Sequence, residues 1–255
     1  MQPAPLLVAA FLAAAAAPVL GAGNTDPDRL ERWQDLTALI FGDDAEIAPT
    51  DTIVTLDAPE RALDAALVPI AIATDDPEVT GLSVIVDENP GGDPRALGLR
   101  VRVDGYTNMH AVATLADGSM VANATFVKGA GGCSAPIGVS DAVAMAGMGE
   151  MRMRFADGGP EGAGKATLMV RHPNFNGMQM NQVTRLYTPA RYVTDVEVTR
   201  GDALVLAMQS DISLATNPVI DFLYKRDADG PFTVTVSDSG GQRWSQDFPA
   251  PELTT

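Results

Sequence analysis

The strongest constraint on this chain is a long succession of short apolar or alternating runs, punctuated by turn residues. The first set covers residues 52–56, 67–73, 82–86, 97–103, 109–115 and 120–127. Asp75-Asp76-Pro77, Asn89-Pro90-Gly91-Gly92 and Asp117-Gly118-Ser119 separate them with turn chemistry. The second set covers 151–155, 166–171, 192–199, 204–209, 219–224, 232–236 and 243–248, with hairpin signals at Asp229-Gly230 and Ser239-Gly240-Gly241. Two successive sets of strands predict an all-β fold of two antiparallel sandwiches and exclude a parallel α/β sheet. Only the N-terminal part departs from this pattern. Asp26 suits a helix cap, Pro27 suits the first helical position, and Leu30, Trp33, Leu36 and Ile40 recur at helical spacing. Gly42 then supplies the stop, so one short N-terminal helix precedes the strands.

Residues 3–22 form an uncharged apolar run ending in small residues, which predicts a secretory signal spanning 1–23. An uncleaved membrane anchor is the competing reading, since about 17–20 apolar residues suffice to span. Its alanine and proline content favours export, and with it a periplasmic location. The expected domains are a first sandwich over 24–133, a small-residue linker over 134–149 and a second sandwich over 150–255. The formal charge of −16 argues against nucleic acid and against anionic membrane surfaces as partners.

Cys133 is the single cysteine, set in Val127-Lys128-Gly129-Ala130-Gly131-Gly132-Cys133-Ser134-Ala135-Pro136. An exported protein with one leftover thiol suggests reactivity or an intermolecular bond. Small flanking residues predict a mobile loop leaving a sheet edge at the domain boundary, where neither core holds the sulfur. Fully extended, 127–133 would reach roughly 20 Å at about 3.3–3.6 Å per residue, enough to enter a partner's cleft. Lys128 is the nearby cation in sequence, either folded back toward the thiolate or simply solvated. Consecutive glycine amides could also present N–H groups to an anion attached at the sulfur. A glycine-rich turn that merely contains a cysteine is the plain alternative.

Residues 46–136 resemble the SoxY subunit of the SoxYZ sulfur-oxidation carrier. The matching pieces are Ile53-Val54-Thr55-Leu56-Asp57-Ala58-Pro59-Glu60, Ala66-Leu67-Val68-Pro69-Ile70, Asp87-Glu88-Asn89-Pro90, Asp117-Gly118-Ser119 and the arm at 127–133. Residues 151–250 resemble SoxZ through Arg171-His172-Pro173-Asn174-Phe175-Asn176-Gly177, Pro189-Ala190-Arg191-Tyr192-Val193 and Thr216-Asn217-Pro218. The whole is similar to the fused SoxYZ-like carriers associated with quinoprotein dehydrogenases. The resemblance implies two immunoglobulin-like sandwiches and a non-enzymatic covalent carrier. Cys133 would be the substrate attachment point and Gly129, Gly131 and Gly132 the arm hinge. Periplasmic enzymes that load and process the bound intermediate would be its partners, with a quinoprotein dehydrogenase as a candidate among them. His172 is carried over only as a fold marker. In the family's separate carrier subunit the arm is a C-terminal Gly-Gly-Cys-Gly-Gly, whereas here Ser134-Ala135-Pro136 follows and the chain continues. A doubled chain is wider than a free tail and requires a more open partner site.

No catalytic residue, metal ligand or cofactor is expected. An enzyme needs a base beside its nucleophile. His110 lies in an alternating strand as a packed or surface residue, and His172 falls in the other half. Two other readings stay open. Met145, Met148, Met151 and Met153, with Met178 and Met180, give thioether spacing suited to Cu(I), although methionine in a strand is also ordinary core filler. A purely structural module that docks to a partner without covalent chemistry is the third.

Overall fold

A computed structural model describes residues 25–86, 96–156, 162–182, 184–226 and 229–251. The expected signal segment at 1–23 and the turn at 89–92 lie outside them. The helix forms as α1, Pro27–Phe41. The Asp26 carboxylate accepts from the Asp28 amide at 3.1 Å, and Gly42 ends the helix at φ 101°. Its buried face differs from the expected stripe: Trp33 and Thr37 are buried, while Ile40 is 39% exposed.

The first half then lays down β1 Ile47–Pro49, β2 Thr55–Asp57, β3 Val68–Ala73, β4 Val79–Val86, β5 Ala96–Val101, β6 Thr107–Leu115 and β7 Met120–Val127. After the short helix α2, Asp141–Met145, the second half adds β8 Met151–Ala156, β9 Ala163–Val170, β10 Val193–Arg200, β11 Ala203–Gln209, β12 Val219–Lys225, β13 Phe232–Asp238 and β14 Arg243–Phe248. The pattern reading missed β1, which is only three residues long and pairs parallel to β7. All other strand pairings are antiparallel.

Three sheets result. One half has its own sheet in the order β1-β7-β6-β4, the other has β11-β10-β13-β14, and a six-stranded sheet β2-β3-β5-β12-β9-β8 runs through both. Each sandwich therefore consists of a private sheet facing three strands of a common one. The seam is β5 against β12, with Leu97 opposite Phe222 and Gly98 opposite Asp221. A Cβ on Gly98 would lie 3.2 Å from Asp221 Cβ, so glycine there lets the two strands close around that side chain. Alternating side chains such as Val68, Ile70 and Ile72 of β3 and Val234 and Val236 of β13 enter one continuous apolar core. The middle strand β6 is buried on both faces. Met109, Ala111 and Ala113 enter that core, while Val112 joins Trp33, Ile85 and Ala122 beneath α1. His110 stacks on Trp33 at 3.7 Å between ring centroids, a packed histidine that fixes the helix to the sheet. No helix among the described residues is long and apolar enough to cross a membrane.

Candidate functional site at the Cys133 arm

After β7 the chain does not swing free. The Lys128 amide donates to the Glu60 carbonyl at 2.8 Å, and Lys128 Nζ pairs with the Glu60 carboxylate, which holds that carboxyl below its ordinary pKa. Lys128 is thus neither folded toward the thiolate nor merely solvated. Gly129 packs against Val103 and Ala62. The Gly131 amide donates to the Asp104 carbonyl and the Gly132 amide to the Val103 carbonyl, both at 2.9 Å. The Cys133 amide donates to Asp104 Oδ1 at 3.3 Å. The glycine amides bind protein carbonyls, which replaces the expectation that they cradle an anion.

Cys133 itself is only 1% exposed. This corrects the expectation of an arm unconstrained by either core. Polar backbone groups must be satisfied when buried, and a glycine segment can lie flat against a neighbouring chain to do so. Gly132 lies in the tightest place: a Cβ there would fall 1.9 Å from the Ala65 carbonyl oxygen and 2.6 Å from that of Val103. Gly131 adopts φ +74°, and a Cβ there would meet Ser134 Oγ at 3.8 Å, an ordinary contact. Gly129, Gly131 and Gly132 thus all lie within the docked part of the arm.

The clamp draws on both halves. Arg102, 2% exposed, follows β5 and donates from Nη1 to the Gly132 carbonyl at 3.2 Å and from Nη2 to Thr216 Oγ1 at 2.6 Å. Thr216 donates in turn to the Pro173 carbonyl at 2.9 Å. Asn176 Nδ2 donates to the Cys133 carbonyl at 2.8 Å. Burial pushes the Arg102 guanidinium pKa down, while the negative charge of a Cys133 thiolate and of Asp64 opposes that shift. Arg102 and Asp104 escaped the sequence reading. Asn176 and Thr216 were visible only as parts of quoted motifs, and the one signal for Arg102 was a charge inside an apolar strand run.

His172 lies in a separate buried network. Its Nδ1 lies 2.6 Å from Asn174 Oδ1, and Nε2 lies 3.4 Å from Asp238 Oδ2, which also accepts from Arg191 Nε at 2.8 Å. Asn174 Nδ2 reaches the Ala215 carbonyl at 2.8 Å, linking this network to the segment beside Arg102. Burial lowers the His172 pKa, and the contacts with Asp238 and Asn174 offset only part of that. For Asp238 burial acts upward, but hydrogen bonds from Arg191, the Gln242 amide and His172 hold it below its ordinary value. The unfolded chain therefore binds the extra proton at His172 first. That stability is fully present above about pH 6.5 and is lost as pH falls through the unfolded value toward the lower folded one. Urea midpoints should drop between pH 7.5 and 5.5, and His172→Gln should flatten that slope; an unchanged slope would mean the ring is not the group responsible.

The methionines divide by position. Met151 is buried in the core and Met153 packs against it, while Met145 and Met178 are exposed at the surface. The two strand methionines are thus engaged as core filler.

Family comparison divides the chain into two successive parts. Residues 38–133 match the model of Sulfur oxidation protein SoxY, and residues 154–249 match that of Sulphur oxidation protein SoxZ. The chain is a SoxY domain fused to a SoxZ domain. Among solved structures, the sulfur carrier protein SoxY from Chlorobium limicola f thiosulfatophilum is 24% identical, covering 40% of this chain and 94% of its own, at a TM-score of 0.33. A beta-glycosidase from Bacteroides vulgatus is 11% identical, covering 79% of this chain but 25% of its own, at a TM-score of 0.26. No curated protein matches the chain. In this SoxYZ-like chain the SoxY match ends on Cys133, and the SoxZ domain contributes Asn176 and Thr216 to the clamp.

Proposed function

We propose that this SoxYZ-like chain is a periplasmic covalent carrier. Cys133 holds a sulfur-containing or other thiol-reactive intermediate and presents it to partner enzymes, a quinoprotein dehydrogenase system among them. The observation that carries this reading is the position of Cys133: the chain's one thiol terminates the SoxY match and lies in a clamp shared by both halves. The surroundings favour carriage over catalysis. The side chains bonded to the arm include Arg102, Asp104 and Asn176, while His110 is stacked on Trp33 and His172 belongs to the Asp238 network.

A sulfur this buried cannot meet a partner's active site, so the working cycle has two positions. Docked, the arm protects the thiol beneath Arg102 and Asn176. Released, it offers the sulfur on a strand of glycines with little backbone resistance. Because the arm is internal, it leaves as a loop anchored at Lys128 on one side and at 134–140 on the other.

Intact mass of the protein taken from its native cells, before and after reductant, tests this directly. A discrete adduct removed by reductant and absent from Cys133→Ser is the expected result, and its mass names the cargo class. A uniformly unmodified thiol in actively growing cells would overturn covalent carriage.

A further inference from the structure

A groove of about 620 Å³ opens beside the clamp, between the segment that follows the arm and residues 175–182 and 184–188 of the SoxZ domain. Its surface is mainly apolar, with Pro136, Ile137, Phe175 and Met180, and among its polar lining residues Gln179 and Asp141 bring groups of opposite kind. Gln179 is 3% exposed. Its Oε1 accepts the Asn176 amide at 3.0 Å, which fixes the orientation of the carboxamide, and its Nε2 has no hydrogen-bond partner among the described residues. A buried donor without an acceptor is costly, and native structures hold few of them. Asp141 accepts from Asn181 Nδ2 and Thr188 Oγ1, both through Oδ2, leaving Oδ1 as an acceptor.

We propose that this groove binds a neutral, mainly apolar small molecule whose oxygen accepts from Gln179 and whose polar hydrogen reaches Asp141, and that its occupancy is felt at Cys133. Its volume and its mainly apolar surface are those of small-molecule sites. Asp141 and the chain's formal charge of −16 select against anions. The connection to the arm is short: Gln179 holds the Asn176 backbone, and the Asn176 side chain holds the Cys133 carbonyl. A ligand that engages Gln179 stiffens this chain of bonds and favours the docked arm. The site stands independently of what Cys133 carries.

Phenylacetamide is a suitable probe, because its carbonyl matches Gln179, its amide hydrogens match Asp141 and its ring matches the apolar wall. Titration followed by amide chemical shifts should give one saturable site confined to residues 136–142, 175–182 and 184–188. Phenylacetate should bind at least about tenfold more weakly. Gln179→Glu keeps the acceptor for Asn176 and removes the donor, so it should lose a comparable factor. Ala142→Trp, at an exposed position on the rim, should block binding without disturbing the fold. Saturating phenylacetamide should also slow N-ethylmaleimide labelling of Cys133 by about threefold or more. Dispersed shifts, equal binding of the acid, or unimpaired binding by Ala142→Trp would overturn the site. Binding with an unchanged labelling rate would overturn the link to the arm.

Discussion

Gly132→Ala is expected to convert the protected thiol into an exposed one. The added methyl would lie 1.9 Å from the Ala65 carbonyl oxygen and 2.6 Å from that of Val103, inside any possible contact distance and against backbone on both sides. Neither wall can yield, because the Val103 amide donates to the Ala65 carbonyl at 2.7 Å and thereby holds the two segments together. The arm must therefore leave, and with it go the bonds from Arg102, Asn176 and the Cys133 amide. N-ethylmaleimide labelling of Cys133 should accelerate by at least about tenfold, and stability should fall by about 1–3 kcal/mol. Gly131→Ala is the matched control. Its methyl would meet nothing closer than Ser134 Oγ at 3.8 Å, so only the positive φ opposes it, at about 1–2 kcal/mol. Labelling of Gly132→Ala as slow as that of the wild type would mean that the docked arm is not what protects Cys133.

Phe232→Ala should produce the largest loss of stability in the SoxZ domain, about 3–5 kcal/mol. Phe232 opens β13 and is fully buried, with its ring 5.0 Å from those of both Phe155 on β8 and Tyr224 on β12. The Arg200 guanidinium lies 5.2 Å from its centroid. This ring thus joins the private sheet of the second half to the common one, and its removal leaves a cavity lined by rigid aromatics that close poorly around it. Equilibrium urea unfolding gives the value. Leu63→Ala, at a fully exposed position, should change it by less than about 0.5 kcal/mol. A Phe232→Ala cost near that of Leu63→Ala would show that the aromatic cluster does not bear on the fold.

The strands were legible because their signal is local. β7 and β14 run over the residues that alternation marks, and the helix begins at the Asp26-Pro27 cap and stops at Gly42, since caps and turns act within a few residues. Departures occur where a distant partner decides. Arg102 continues an apolar run, yet it leaves β5 because the Ser213 carbonyl and the arm are there to receive it. β1 is a strand only because β7 lies beside it. Thr37, polar by composition, faces inward because Trp33 docks on His110 and sets the helix rotation.

The sequence by itself determined the all-β character, the two sets of strands, the lone thiol and the glycines around it, because each depends on neighbouring residues or on composition. Only the tertiary structure decided that the halves share one sheet and that the arm is docked rather than free. Glycine in a row permits both an extended tether and a flat, buried ribbon, and nothing local distinguishes them. The choice was made by Ala65 and Val103 on one side and by Arg102 and Asn176 on the other, residues that come together only when the SoxY and SoxZ domains close along β5 and β12.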